Sequence, residues 1–274
     1  MFLQPTKIPP TTKKITMKTT VDTTVVFFSA RAHQPTFVKH KDTLNFDFTI
    51  ESVVYQSANG DTLNGWFLKP KNQNPNITIL HFHGNAGCLL SQYQAMTPLL
   101  KYGFQIFIFD YSGFGFSSGK ATKKNVFTDA LSTLDYLKKR DDVKNTKLVI
   151  YGQSLGGHLS AVVGTQRQVD IDGLVIEGAF SSHKDIAAHI LPVLGRILVK
   201  QDYCAKKSIK NFHKPLLVIH SSEDETIPFR MGKKIFDNAN HQKKFYEIKK
   251  PHICGPEFYS DSISNKVKRM LIVE

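Results

Sequence analysis

Short runs of mainly apolar residues recur through the middle and the C-terminal half of the chain. They occupy residues 77–82, 104–109, 148–151, 174–176 and 216–219. Strands that are buried on both faces of a sheet carry runs of this kind, whereas half-exposed strands alternate apolar and polar residues. The pattern therefore predicts a buried, mostly parallel sheet.

Segments with helical spacing separate the predicted strands. The clearest covers residues 124–140, where Val126, Ala130, Leu134 and Leu137 fall on one face of a helix. Strands that alternate with helices along a chain are typical of a sheet with helices on both faces. The predicted fold class is therefore α/β.

An antiparallel hairpin is expected before this alternating part. Residues 51–57 and 64–68 are strand-like, and the turn sequence Asn59, Gly60, Asp61 lies between them. An Asn-Gly pair favours a tight hairpin turn because both residues tolerate positive φ.

The chain length suits one large domain, which we expect over residues 46–274. Residues 1–45 are rich in Thr, Lys and Pro, show no sustained period, and are interpreted as a basic, irregular N-terminal extension. Residues of about 179–213 are strongly apolar, and Pro192 and Gly195 break them into short pieces. This segment is predicted to be a helical insertion that forms a small cap.

The cysteines and the lengths of the apolar runs indicate the cellular compartment. Cys88, Cys204 and Cys254 are three cysteines without paired spacing, so neither a disulfide framework nor a zinc cluster is expected. The apolar run at residues 25–28 is shorter than the ~7–15 residues of a signal peptide, and no run reaches the ~18 of a membrane span. We expect a cytoplasmic protein, and export or peripheral membrane association is the weaker interpretation.

The chain has 36 basic and 23 acidic residues and a formal net charge of +13. Its lysines are scattered, and no arginine-rich stripe with interleaved aromatic residues is present. This distribution predicts a solvated basic surface with weak attraction to anionic membrane surfaces and no specific nucleic-acid binding. The oligomeric state stays open.

The sequence Gly-Gln-Ser-Leu-Gly at residues 152–156 matches the G-x-S-x-G pattern. The pattern alone is weak, but here a predicted strand precedes it and a helix-forming segment follows. Such an elbow holds the serine in a strained turn with its hydroxyl exposed above the sheet. Ser154 is therefore the predicted nucleophile, and a glycine-rich turn with a capping serine is the alternative.

A serine hydroxyl needs a base to remove its proton and an acid to orient that base. The loop after residues 216–219 offers Glu223, Asp224 and Glu225, of which Asp224 is chosen for its position before an Ile-Pro pair. His252 is the predicted base, which completes the chain order Ser, Asp, His. The alternative for the loop is an acidic turn that caps the next helix.

The oxyanion formed during acyl transfer needs preorganised N–H donors. The sequence His-Gly-Asn-Ala-Gly at residues 83–87 follows a predicted strand, and its small residues permit close approach to the nucleophile. We predict that the backbone N–H groups of Asn85 and Leu155 form the oxyanion hole.

Other histidines near these motifs have structural interpretations. His158 lies a helical turn beyond the elbow, and His220 ends a strand, where a hydrogen-bonding role is expected. A metal site at His81 and His83 is disfavoured because a third histidine and a nearby acidic ligand are lacking. Neither a metal nor an organic cofactor is predicted.

Together these motifs resemble those of small α/β-hydrolases. Asp-Tyr-Ser-Gly-Phe-Gly at residues 110–115 and His-x-x-x-Asp-x-x-Ile-Pro at 220–228 accompany the elbow and the 83–87 loop in that superfamily. The resemblance covers about residues 46–274 and points to the branch of protein depalmitoylases and related esterases, with peptidase-like relatives. It implies an α/β-hydrolase fold and acyl-transfer chemistry.

The expected function is that of a serine hydrolase that cleaves small carboxylic esters or thioesters through an acyl-enzyme. A peptidase or amidase with the same triad is the alternative among enzymes, and a non-catalytic hydrolase-like binding protein is the alternative outside them. The apolar residues of the predicted cap are expected to line the cleft, unless they only cover the sheet as core.

Overall fold

The computed structural model describes residues 3–5, 7, 48–71, 73–192, 194–200, 202–240 and 242–272. The predicted extension at residues 1–45 thus lies outside the described residues except for 3–5 and 7. Of these, Gln4–Pro5 pairs in parallel with a short strand at Ala86–Gly87.

One sheet organises the described chain. Its eight strands are β1 (Phe48–Gln56), β2 (Thr62–Pro70), β3 (Ile77–Phe82), β4 (Phe104–Phe109), β5 (Lys147–Gln153), β6 (Gly173–Glu177), β7 (Leu216–Ser221) and β8 (Lys243–Ile248). Their spatial order is β8-β7-β6-β5-β3-β4-β2-β1. Neighbouring strands from β8 to β4 are parallel, whereas β2 is antiparallel to both β4 and β1. The predicted mostly parallel sheet with an antiparallel N-terminal hairpin is confirmed.

Helices lie between the parallel strands and after the last of them. They are α1 (Leu89–Met96), α2 (Lys123–Lys138), α3 (Asp141–Lys144), α4 (Leu155–Gln166), α5 (His183–Ile190), α6 (Leu194–Leu198), α7 (Ala205–Ser208), α8 (Phe229–Asn238) and α9 (Gly255–Leu271). Short 3₁₀ helices lie at Thr97–Tyr102, Gln168–Asp170 and Ile209–Asn211. Among the described residues no helix combines the length and the apolar character needed to cross a lipid bilayer.

The observed boundaries are wider or shifted relative to the predicted ones. The first hairpin strand begins at Phe48 and ends at Gln56, and the second runs from Thr62 to Pro70. Both are longer than predicted because backbone pairing continues through polar positions such as Thr49 opposite Lys69. Helix α2 begins after Thr122, whose side chain accepts a hydrogen bond from the Asn125 N–H at 3.1 Å.

Two apolar cores cover the two faces of the sheet. Successive residues of β5 point to opposite faces, so Val149 and Ile150 belong to different cores. The core that contains Ile150 includes the four predicted residues of α2, namely Val126, Ala130, Leu134 and Leu137, all fully buried. The predicted apolar face of this helix is confirmed.

The predicted insertion at 179–213 contains α5, α6 and α7, and we call residues 183–200 the cap. Ile186 is buried, but the side chains of five other apolar cap residues are exposed: Ile190, Leu191, Leu194, Ile197 and Leu198. Because these five are exposed, they do not cover the sheet as core. That the cap lines the cleft stays a prediction. Val193 lies outside the described residues.

Candidate active site

Ser154 occupies the junction between β5 and α4 with a φ of 55° and a ψ of −113°. A positive φ is unfavourable for a residue with a Cβ, so the serine is held in a strained turn by its surroundings. Its backbone N–H donates a hydrogen bond of 2.9 Å to the carbonyl oxygen of Glu177 at the end of β6. The predicted strand-to-helix elbow is present.

The two glycines of the G-x-S-x-G motif allow close backbone contacts. A Cβ on Gly156 would lie 1.9 Å from the carbonyl oxygen of Phe82, and one on Gly152 would lie 2.3 Å from the carbonyl oxygen of Gly156. Both positions therefore require glycine, and α4 begins directly against the end of β3. Ser154 is only 5% exposed, less than the sequence suggested, because neighbouring loops surround the elbow.

The predicted acid and base are paired. The Nδ1–H of His252 donates to Oδ2 of Asp224 at 2.7 Å. The other carboxylate oxygen of Asp224 accepts the N–H groups of Thr226 at 2.9 Å and Ile227 at 2.7 Å. Burial raises the pKa of Asp224, but the hydrogen bond and charge of His252, together with the Ile227 N–H and the nearby His220, outweigh burial and hold the pKa below its ordinary value. The pair leaves Nε2 of His252 available to a second partner.

The loop that carries His252 lies against the elbow. A Cβ on Gly178, which follows Glu177 and has a φ of 56°, would lie 3.2 Å from Cε1 of His252. A Cβ on Gly84 would lie 3.6 Å from the Cβ of Ser154 and 3.8 Å from Cδ1 of Ile253. The serine, the histidine loop and the 83–87 loop thus meet at the carboxyl edge of the sheet.

The predicted oxyanion donors lie at this meeting point. Leu155 is the first residue of α4, where a backbone N–H has no acceptor within the helix. Asn85 is buried in the 83–87 loop. The side chain of Gln92 holds this loop, since it accepts the N–H of Gly84 at 3.1 Å and donates to the carbonyl oxygen of Ala86.

His158 and His220 are buried and bonded elsewhere. Nδ1 of His158 donates to the carbonyl oxygen of Phe180 at 2.8 Å, and burial lowers its pKa to about 3. Nε2 of His220 donates to the carbonyl oxygen of Ile227 at 2.9 Å, in agreement with the structural role expected for it. Because Ile227 also binds Asp224, His220 stabilises the loop of the acid.

The two histidines at the end of β3 do not converge on one point. Nε2 of His81 lies 3.0 Å from Oε1 of Gln153, whereas Nδ1 of His83 donates to the carbonyl oxygen of Gly84 at 2.8 Å. Burial lowers their pKa values to about 3 and about 4, so both rings are neutral near pH 7. Within the described ranges no group of three His, Cys, Asp or Glu side chains is placed to hold a metal ion.

Sequence reasoning missed Glu177, which ties the nucleophile to the histidine loop. Its carbonyl oxygen accepts the Ser154 N–H, and its buried carboxylate accepts the Gly255 N–H at 2.6 Å. The same carboxylate accepts the Tyr151 hydroxyl and the Gln153 amide, both at 2.8 Å. Burial raises the pKa of Glu177, and its three donors and the nearby His252 act in the opposite direction. A glutamate at the end of an apolar strand was the only available signal.

Comparisons with known proteins agree with this geometry. A family model described as alpha/beta hydrolase fold matches residues 77–198. The uncharacterized protein YfhR of Salmonella typhi is 33% identical over 208 residues, which are 71% of this chain and 71% of that protein. YfhR of Escherichia coli O157:H7 is 32% identical over 206 residues, 73% of this chain and 72% of that protein. The chain belongs to the alpha/beta hydrolase family.

A solved structure supports the same fold. The esterase Pf2001 of Pyrococcus furiosus superposes with a TM-score of 0.68 at 20% identity, covering 82% of this chain and 93% of that one. At this identity the similarity concerns the fold.

Proposed function

We propose that this protein is a serine hydrolase that cleaves small carboxylic esters or thioesters through an acyl-enzyme intermediate. The observation that carries the proposal is the 2.7 Å pair of His252 and Asp224 beside the strained elbow at Ser154. Proteins of the same fold include some that are named esterases, such as Pf2001 and Est1E of Butyrivibrio proteoclasticus, the latter with ferulic acid bound.

In the first half of the reaction, Oγ of Ser154 attacks the acyl carbonyl carbon while Nε2 of His252 takes the hydroxyl proton. Asp224 holds the tautomer in which Nδ1 carries a proton and stabilises the imidazolium that forms. The N–H groups of Asn85 and Leu155 donate to the oxyanion. The alcohol or thiol then leaves with the proton from His252, and the acyl group stays on Ser154 as an ester.

In the second half, His252 takes a proton from water while the water oxygen attacks the acyl carbon. The bond between that carbon and Oγ breaks, and His252 returns a proton to Ser154. The products are a carboxylic acid and the free enzyme. This sequence needs only water and groups of this chain, so the proposal includes neither a metal nor an organic cofactor.

We place this activity in the cytoplasm. The thiols of Cys88, Cys204 and Cys254 are free, as suits a reducing compartment.

A fluorophosphonate label located by mass spectrometry tests the nucleophile. We expect the label on Ser154, no labelling of Ser154→Ala, and a loss of kcat by several orders of magnitude in that variant. His252→Ala should lose nearly as much, because triad members act as a unit. Normal turnover by folded Ser154→Ala would exclude the proposal and favour the non-catalytic binding protein.

A substrate panel distinguishes esterase from peptidase activity. We expect p-nitrophenyl esters and acyl thioesters to be cleaved faster than aminoacyl amides of the same acyl length. Faster cleavage of the amides would instead favour a peptidase or amidase that uses the same residues.

A further inference from the structure

The cap carries the densest exposed apolar surface of the described chain. Five large aliphatic side chains between residues 190 and 198 are 47–73% exposed. Other large exposed apolar side chains among the described residues are dispersed: Val54, Val169, Phe258 and Ile272. We call the five the cap patch: Ile190, Leu191, Leu194, Ile197 and Leu198.

The patch spans two helices and the turn between them. Ile190 ends α5, Leu191 is extended, and Leu194, Ile197 and Leu198 belong to α6. Concentrated apolar surface of this kind is unfavourable in water and marks sites of protein or membrane contact, unlike single exposed residues.

The charges beside the patch are mainly positive. Residues 183–200 contain three basic residues and one acidic residue. The acidic one, Asp185, is already paired, because its Oδ2 lies 2.6 Å from Nζ of Lys206 and 3.1 Å from Nζ of Lys234. Lys184 and Lys200 are exposed at the two ends of the cap. Nζ of Lys200 lies 3.7 Å from Oδ1 of Asp202, but the lysine side chain is still 89% exposed. Exposed apolar side chains flanked by lysines are complementary to an anionic lipid surface.

We propose that the cap patch binds the surface of an anionic phospholipid bilayer. The aliphatic side chains enter the boundary between headgroups and acyl chains, and Lys184 and Lys200 contact lipid phosphates. A protein partner is a poorer match, because the patch lacks the aromatic residues that protein interfaces favour.

Vesicle flotation of the full chain tests the proposal. One vesicle population contains phosphatidylcholine and phosphatidylglycerol, and the other contains phosphatidylcholine alone. We expect binding to the anionic vesicles only, with a decrease as salt is raised. The double variant Ile197→Ser/Leu198→Ser should bind at least about tenfold more weakly, and Lys184→Gln/Lys200→Gln weaker by roughly fivefold per lysine.

Val169→Ser is the matched control, because it removes an exposed aliphatic side chain outside the cap and should leave vesicle binding unchanged. Absence of wild-type binding to anionic vesicles, or equal binding by Ile197→Ser/Leu198→Ser, overturns the proposal. A dimer seen by light scattering and lost in that variant also overturns it, in favour of a second copy of this chain.

Vesicle binding does not depend on catalysis, so the two proposals fail separately. The Ser154→Ala variant should bind vesicles like the wild type whether or not the chain is a hydrolase.

Discussion

The contacts of Glu177 predict that replacing its carboxylate by an amide weakens both the fold and the proposed catalysis. In the wild type, Oε1 accepts the Gly255 N–H, and Oε2 accepts the Tyr151 hydroxyl and the Gln153 amide. A glutamine has one acceptor oxygen and one donor NH₂ group. Whichever way the amide of Glu177→Gln is turned, its NH₂ group faces the N–H of Gly255 or the NH₂ of Gln153.

The magnitude follows from this mismatch. A hydrogen bond to a charged group contributes about 1.5–3 kcal/mol, and a buried donor without an acceptor costs about 1–3 kcal/mol. We therefore expect Glu177→Gln to lower the free energy of unfolding by about 2–4 kcal/mol. Gly255 lies just beyond His252, and Gln153 also donates to the carbonyl oxygen of Ile253 at 3.1 Å. A displacement of this loop should reduce kcat by about 10–100-fold, with a smaller change in KM.

Urea unfolding and steady-state hydrolysis of a p-nitrophenyl ester measure the two effects. Glu247→Gln is the matched control, because Glu247 is exposed on the edge strand β8 and the same change there should affect neither. If Glu177→Gln has the stability and kcat of the wild type, the reasoning is wrong. Reduced stability with a normal kcat in the folded variant would limit Glu177 to the fold.

Two further predictions concern Gly178 and His158. A Cβ at Gly178 would lie 2.9 Å from Cγ2 of Ile253 and 3.2 Å from Cε1 of His252. Gly178→Ala should therefore displace the histidine loop and lower kcat at least about tenfold. Gly60 also has a positive φ but open space around it, so Gly60→Ala should lower stability and leave kcat unchanged. Equal kcat values for the two variants would contradict this prediction. Burial lowers the pKa of His158 from 6.5 to about 3, so its neutral form contributes stability above about pH 6.5 that is lost as the pH falls towards 3. The wild type should therefore lose more stability than His158→Gln when the pH is lowered from 7 to 5, by about 2 kcal/mol of unfolding free energy. Urea unfolding of both proteins at both pH values measures this. An equal loss in the two proteins would refute the charge argument.

Features that depend on neighbouring residues were accessible from the sequence. The buried strands, the apolar face of α2 and the elbow around Ser154 all follow local rules of burial, helical period and permitted φ. The elbow is the clearest case. Gly152 and Gly156 are required by contacts around one strand-to-helix turn. They therefore occur at a fixed spacing that can be recognised in the sequence.

Features that depend on how distant segments meet were decided by the tertiary structure. Asp224 and His252 are paired although 28 positions separate them, and the sequence could only rank Asp224 above its acidic neighbours. In the sequence, Glu177 is not distinguishable from other residues at strand ends. In the structure, the adjacency of β5 and β6 places it against the histidine loop. The apolar composition of the cap patch is compatible with core, and only the tertiary structure shows that its side chains are exposed. Each of these outcomes depends on strand order and loop conformation, which no local pattern of residues encodes.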